Sequence, residues 1–313
     1  MADPAPLSLQ PRSTEPAPAE SGSLYFIGNA TVLLRLGGFT VLTDPSFIHK
    51  HEQTWLGYGL HTERLTDPAC GIADLPPLDF VLLSHFHGDH FDQAAEDRLD
   101  RALPIVTTPQ SAELLAGRGF ANTWPVDRWQ TQVVTKGRAE LRITATPGHH
   151  GPPLVDAALP DVMGSLLEFS PTGGPPSFRL YITGDTLLID DLEEIPRRYP
   201  EIDLALLHLG GTRVLGILVS MDGEQGVKCL QLVNPARAVP IHFDDYDVFK
   251  SPLADFQEAV VAAGWADRIS YLDRGDTLNL GRGEAAKVTA GLGPRGDAAS
   301  PRGPDAAAGL SSP

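Results

Sequence analysis

The stretch from Val81 to Asp92, VLLSHFHGDHFD, sets three imidazoles and a carboxylate within six positions, directly behind an apolar run. Whatever fold the chain adopts must end a buried strand at this point and gather these donors instead of scattering them. Residues two apart in an extended loop point the same way, so His85 and His87 can hold one ion together. Gly88 lets the chain turn, and Asp89 and His90 can then face a second ion. Three more places end apolar, β-branched runs with the same kind of donor: TPGHHG with His149 and His150, YITGDT with Asp185, and VPIHFDDY with His242. The carboxyl ends of strands are where α/β sheets commonly present ligands. The donors divide into His85, His87 and one histidine of the 149/150 pair on one ion, and Asp89, His90 and His242 on the other. Asp185 can bridge the two. A nitrogen and oxygen set with no thiolate suits Zn²⁺ and tolerates Mn²⁺ or Fe²⁺, so the expected cofactor is two divalent metal ions.

Around these motifs the chain reads as short strands, then as strands alternating with helices. LYFIG, TVLLRL and FTVLTD read as successive antiparallel strands, and a long loop, 45–77, carries Trp55, Tyr58 and His61. DFVLLS is a strand leading to the histidine loop, followed by a helix from about Asp92 to Leu103, the strand PIVTT and a short helix in PQSAELLAGRG. In the second half AELRITATP, GSLLEFS, FRLYITGD, IDLALLHLG, ARAVPIH and ISYL read as strands. DDLEEIPRRY, DGEQGVKCLQLV and PLADFQEAVVAAG read as helices, the second opening on a capping-box pattern of Asp222 and Gln225. This order implies two packed sheets with helices outside. Residues 1–22 and 281–313 are rich in Pro, Ala, Ser and Gly and read as disordered tails, which leaves 23–280 as one domain.

Bulk properties exclude several partners. The 313 residues carry 24 Lys+Arg against 40 Asp+Glu, a net charge of −16 that repels polyanions, so nucleic acid is not expected to bind. There is no transmembrane run of about 18 apolar residues and no secretory signal, and only Cys70 and Cys229 are available for bridges. A cytoplasmic enzyme with a small-molecule substrate is the expectation, the cysteines being buried small residues.

The motif series SHFHGDH, TPxxH, GDT and PIH resembles that of the metallo-β-lactamase superfamily. The opening FIGNATVLLRLGGFTVLTDP is similar to the branch holding N-acyl-phosphatidylethanolamine phospholipase D and the L-ascorbate-6-phosphate lactonases. The resemblance runs from about Ser23 to Leu280 and implies a single-domain, four-layer αββα sandwich with a dinuclear site at one edge of its sheets. It implies His150 as the third ligand of the first ion, as in this branch, although the TPGH pattern of other members would select His149. Asn29 stands where a GHA or GHS histidine is familiar, which bears on substrate and not on ligation. Asp44 in TDP is expected to satisfy backbone donors near the site.

Hydrolysis by direct attack follows as an expectation, since a hydroxide held between two cations is nucleophilic near neutral pH. Asp89 would orient it and pass a proton to the leaving group. His208, which ends a strand between two ligand-bearing ones, is either a substrate contact or proton donor, or a packed histidine. Tyr246 is expected to line the mouth, and Arg213 and Lys250 are the cations available to a phosphate-bearing substrate. Asp244 and Asp245 read as solvated loop residues or caps. Trp55 and Tyr58 form an apolar wall over the site or pack onto their own domain. The bond expected is a lactone or carboxylic ester, or a phosphodiester, with a phospholipase-D-like lipid phosphodiesterase as the runner-up. A true β-lactamase lacks support because no thiolate follows the GDT strand, and the superfamily's diiron proteins carry a glutamate where His87 stands. A nuclease meets the net charge, and a non-catalytic metal binder would require lost ligands.

Overall fold

The structure is a computed structural model that describes residues 2–10, 22–57, 59–171, 174–281 and 288–292. In chain order it begins with β1 (Leu7–Leu9), β2 (Gly22–Gly28), β3 (Thr31–Leu36), β4 (Phe39–Thr43), β5 (Gln53–Gly57), β6 (Leu60–Glu63) and β7 (Phe80–Leu82). The histidine loop leads into α1 (Gln93–Arg98), β8 (Ile105–Thr107), α2 (Pro109–Ala116), β9 (Thr123–Pro125), β10 (Thr131–Lys136) and β11 (Ala139–Thr146). Then come α3 (Pro153–Asp156), β12 (Gly164–Ser170), β13 (Phe178–Ile182), α4 (Glu194–Arg198) and β14 (Leu204–His208). The chain closes with β15 (Arg213–Val214), β16 (Ile217–Leu218), α5 (Gly223–Val233), β17 (Arg237–Ile241), α6 (Leu253–Ala262), β18 (Asp276–Asn279) and β19 (Val288–Ala290).

Two sheets carry the fold, one ordered β1-β10-β11-β12-β13-β14-β17 and the other β19-β18-β2-β3-β4-β7-β8-β9. Side chains alternate between the faces of a strand, and here both faces are apolar. Leu24 and Phe26 of β2 enter the core between the sheets, while Tyr25 and Ile27 join the cluster under α1 and α2. On the other sheet Leu204 and Leu206 of β14 face the same central core, and Ala205 and Leu207 pack with α4, α5 and α6. Helix α5 buries Gly223, Gly226, Val227, Leu230 and Val233, the spacing of a single helical stripe. The layers are therefore αββα in a single domain, as expected. Among the described residues no helix is long and apolar enough to cross a membrane.

Several local expectations change. Leu7–Leu9, placed in a disordered tail by composition, pairs in parallel with β10 and buries Leu7 against the central core. Val288–Ala290, in the other tail, pairs with β18; residues 11–21, 282–287 and 293–313 lie outside the described residues. The loop 45–77 contains the hairpin β5–β6, with Tyr58 outside the described residues. Helix α1 stops at Arg98, short of Leu103, where Asp100 accepts the Ala102 and Leu103 amides and draws the backbone into a turn. ISYL forms one bridge, Ile269 to Ala238, instead of a strand. Asp222 caps α5 through the Gln225 amide, but the Gln225 side chain accepts from Leu188 N, so the reciprocal half of the capping box is missing.

Parallel pairing explains the position of the site. Strand β4 runs parallel to β7, and β13, β14 and β17 run parallel to one another. Two antiparallel steps through β12 give β11 the same direction as β13. Asp44, His85, His150, Asp185, His208 and His242 thus all lie at or just beyond the carboxyl ends of these strands.

Candidate metal centre

Tight turns deliver the donors. Gly88 sits where a β-carbon would lie 2.2 Å from Thr54 Oγ1 and 2.4 Å from Trp55 O, so only glycine lets the histidine loop pass beneath the β5–β6 hairpin. Gly184, at φ +63, would place a β-carbon 2.7 Å from Met163 O, and it swings Asp185 off the end of β13. Asn29, Asp44 and His242 hold φ of 52°, 33° and 59° without being glycine. Such backbone strain concentrates at functional sites.

Three donor groups have candidate ligand atoms within 4.8 Å of one another: His85, His87 and His150; Asp89, His90, Asp185 and His242; and Asp44, His90 and His208. The third shares His90 with the second and lies behind it, so two sets face the centre. In the first, His87 Nδ1 lies 3.1 Å from His85 Nε2 and 3.3 Å from His150 Nε2. Nitrogens bound to a tetrahedral ion at ~2.0–2.1 Å stand about 3.3–3.4 Å apart, so these spacings suit a shared cation. In the second, His90 Nε2 and His242 Nε2 are 3.1 Å apart, and each lies 3.5 Å from Asp185 Oδ2. Asp89 Oδ2 is 3.4 Å from His242 Nε2. Asp89 Oδ1 and Asp185 Oδ1 are buried with no hydrogen-bond partner, a cost that a bound cation or its water would remove. The residues fit a metal centre. His149 is turned away, its ring between Asp156 Oδ2 at 2.7 Å and Arg128 Nη2 at 3.1 Å.

The rear nitrogens fix the tautomers. His150 Nδ1 donates to Val219 O at 2.7 Å and leaves Nε2 as the free lone pair. Ser84 Oγ donates to Asp44 Oδ2 at 3.0 Å and accepts from His85 Nδ1 at 2.9 Å, which frees His85 Nε2. His90 Nδ1 lies 3.2 Å from Asp44 Oδ2, the carboxylate–histidine arrangement that orients a ligand. Asp44 also accepts from Ser84 N at 2.7 Å, as expected of it. His208, buried, stacks on His90 with ring centroids 6.0 Å apart, and its Nε2 lies 3.6 Å from Asp44 Oδ2 without a hydrogen bond.

Electrostatics differ between the sets. Burial pushes His85 well below the usual imidazole range, His87 down to about 3, and His150 down, so all three are neutral as ligands must be. Burial acts the same way on His90 and His242, but the Asp185 and Asp89 carboxylates outweigh it and raise both. In return those imidazoles overcome the burial of Asp89, which falls to about 2, and of Asp185, held well below the carboxylate range.

The second set hangs on a buried network that sequence reasoning missed. Asp245, expected in solvent, is fully buried and accepts Asn29 N at 2.6 Å, Arg274 Nε at 3.0 Å and Thr66 Oγ1 at 2.5 Å. Arg64, also fully buried, lies 3.5 Å from it. Asn29 Nδ2 then donates to Asp89 O at 2.7 Å, and Asn29 O accepts His242 N at 3.1 Å. Asp245 lies 216 positions from Asn29, and no short-range spacing announces the pair. Ser84 did carry a signal, being the one polar residue between an apolar run and the first histidine. Asp244 is exposed as expected, bonded to Arg274.

The expected substrate contacts fare differently. Tyr246 does not line the mouth: it is 1% exposed, its hydroxyl lies 2.8 Å from Ser46 Oγ, and Arg64 covers its ring. Arg213 is exposed on β15 and donates to Gly216 O at 3.1 Å; Lys250 is exposed and donates to Asp247 O at 2.6 Å. Cys229 is buried and Cys70 half-buried.

Residues 40–243 match the beta-lactamase superfamily domain. A UPF0173 metal-dependent hydrolase of Deinococcus radiodurans is 31% identical over 202 residues, a match covering 64% of this chain and 79% of that protein. One from Caldivirga maquilingensis is 26% identical over 263 residues, covering 83% of this chain and 98% of that protein. Among solved structures, the isothiocyanate hydrolase from Delia radicum gut bacteria superposes with a TM-score of 0.70 at 24% identity, over 83% of this chain and 99% of that one. A possible metal-dependent hydrolase from Veillonella parvula gives 0.68 at 22%, over 82% and 98%, and both share the fold. The chain belongs to the beta-lactamase superfamily and, within it, to the UPF0173 metal-dependent hydrolases.

Proposed function

We propose that the protein is a dinuclear, most simply dizinc, hydrolase that splits a small ester-like bond by direct attack of water. The bond is a carboxylic ester or lactone, or a phosphodiester. The observation that carries this reading is the pair of adjacent donor sets at one sheet edge, each with its lone pairs converging. His85, His87 and His150 would hold one ion and Asp89, His90 and His242 the other, with Asp185 reaching both. Two such cations, of Zn²⁺ or of the tolerated Mn²⁺ or Fe²⁺, supply Lewis acidity and a water acidic enough to act near pH 7.

The chain's own groups do the rest. Asp89 Oδ1, buried and without a partner, is the acceptor that orients the attacking water and carries its proton toward the leaving group. His208, whose Nε2 has no hydrogen-bond partner, is a second proton carrier backed by Asp44. Arg213, exposed on β15, is available to an anionic substrate group. The likeness to the phospholipase D and lactonase branch belongs to this proposal, as do a cytoplasmic setting and a small-molecule substrate.

The test is a panel of lactones, carboxylic esters, thioesters and phosphodiesters on zinc-reconstituted protein, with metal content from elemental analysis. Two ions per chain are expected, with turnover abolished by chelation and restored by zinc. Protein that takes up two ions yet cleaves nothing in the panel is not this hydrolase. Uptake of a single ion ends the dinuclear mechanism.

A further inference from the structure

Ten large apolar side chains stand exposed among the described residues, and five of them, Trp55, Leu60, Leu154, Leu215 and Ile217, sit on three short segments. Each segment is fastened to a ligand loop. The β5–β6 hairpin, with Trp55 and Leu60, accepts Gly88 N at Trp55 O, 3.0 Å, between His87 and Asp89. Helix α3, with Leu154, begins three residues after His150. The β15–β16 hairpin, with Leu215 and Ile217, has Val219 at its base, whose carbonyl orients the His150 ring. A β-carbon on Gly151 would lie 3.1 Å from Val155 and 3.4 Å from Val219, so α3 and this hairpin meet beside His150.

Folding gives no reason for two of these side chains. Leu154 and Leu215 are each 93% exposed. Leu215 and Gly216 form a two-residue hairpin turn with φ of 50° and 82°, where the first position ordinarily falls to Asn, Asp or Gly. A leucine there is strained and hydrated at once, so an apolar contact outside the folded chain is the remaining use for it.

We propose that these three segments form an apolar collar around the metal centre that binds an alkyl, acyl or aryl arm of the substrate, so that the substrate is an amphiphile with its ester-like bond at the polar end. The inference deepens the hydrolase reading and rests on it. A polar, cation-binding centre ringed by apolar side chains matches a molecule with one polar and one apolar end. A net charge of −16 opposes both an anionic bilayer and a second copy of the chain as the occupant.

Binding of the n-alkanoates from acetate to octanoate to the zinc-reconstituted full chain, followed by calorimetry, tests this without turnover. The carboxylate serves as the polar end, and the dependence of Kd on chain length is the readout. Kd should tighten about two- to fourfold per added methylene. The double variant Leu154→Ser, Leu215→Ser should at least halve that dependence on a logarithmic scale while keeping its metal content. Val261→Ser, removing an exposed side chain from α6, should leave it unchanged. A wild-type Kd independent of chain length, or one the double variant does not alter, overturns the collar. So does sedimentation showing a dimer that the double variant splits, since the leucines then serve a second copy. Chain-length dependence without turnover of any panel substrate would instead leave the collar standing and count against the hydrolase reading.

Discussion

The two donor sets share one sheet edge and one residue type, yet the proton affinities of their histidines are shifted in opposite senses. In the first, three imidazoles have no carboxylate among them, and desolvation leaves each neutral. In the second, two carboxylates face two imidazoles, and mutual attraction favours the charged form of all four against the same desolvation. Their supports differ accordingly. Neutral oxygens, Ser84 Oγ and Val219 O, orient the first set, whereas the second leans on Asp44 and on the buried Asp245 through Asn29. A buried histidine is therefore not one kind of ligand. Its proton state before a cation arrives is set by whether an acid lies within reach, so the first set is ready to bind while the second must give up protons.

The largest expected effect comes from removing one ligand from either half. His150→Ala and His242→Ala should each bind one ion where two are expected of the wild type, and each should lose about 10³-fold in kcat/KM, the worth of several kcal/mol of charge stabilisation. Elemental analysis beside steady-state kinetics decides it. If either single variant loses both ions, the halves are one cooperative site and the comparison dissolves.

Acid should separate the halves next. His87 is held at about 3 when folded against 6.5 for an ordinary imidazole. A depressed histidine takes up its proton in the unfolded chain first, so as pH falls below about 6.5 the folded state loses stability until about 3. At pH 4.5 that one group accounts for about 3 kcal/mol, and His85 and His150 act in the same direction. The second half has the opposite sign for its histidines: raised His90 and His242 lend stability below about 6.5 and lose it as pH climbs through their folded values. Its lowered aspartates lend stability that is present above about 3.8 and is lost as pH falls through their folded values, about 2 for Asp89. Urea midpoints of chelator-treated protein at pH 7 and pH 4.5 should therefore show His87→Gln losing less on acidification than the wild type. An equal loss in both would mean that the first set is not the acid-sensitive half.

What could be read from the chain follows the same division. The candidate ligands were legible because they end apolar strands in short motifs, and a strand's direction and burial are written in its own residues: Leu24 to Ile27 alone declare two buried faces. Supports were not, because their partners are remote. Nothing near Asp245 tells that Arg274 and Arg64 neutralise it, and a DDYD run reads as solvated by composition. Leu7–Leu9 failed for the same reason, since a three-residue strand gains its stability from β10 more than a hundred positions away. Tyr246 misled in the reverse sense: closeness in sequence to His242 suggested the mouth, but the turn at φ 59° sends the following chain back into the core.

The smallest expected effect tests the network without touching a ligand. Asn29 sits at φ 52°, a conformation glycine adopts freely, so Asn29→Gly removes the side chain without adding strain. The amide that donates to Asp245 and the carbonyl that accepts from His242 N both stay, and only the 2.7 Å bond from Nδ2 to Asp89 O is lost. Losing a support of this kind costs about 10- to 100-fold in metal affinity. The loss should fall on the second ion alone, since no hydrogen bond links Asn29 to His85, His87 or His150. Competitive chelator titrations of variant and wild type should show the tighter or weaker step moving by that amount and the other standing still. Equal weakening of both steps would mean that Asn29 supports the whole edge, and that the halves differ in charge but not in how they are held.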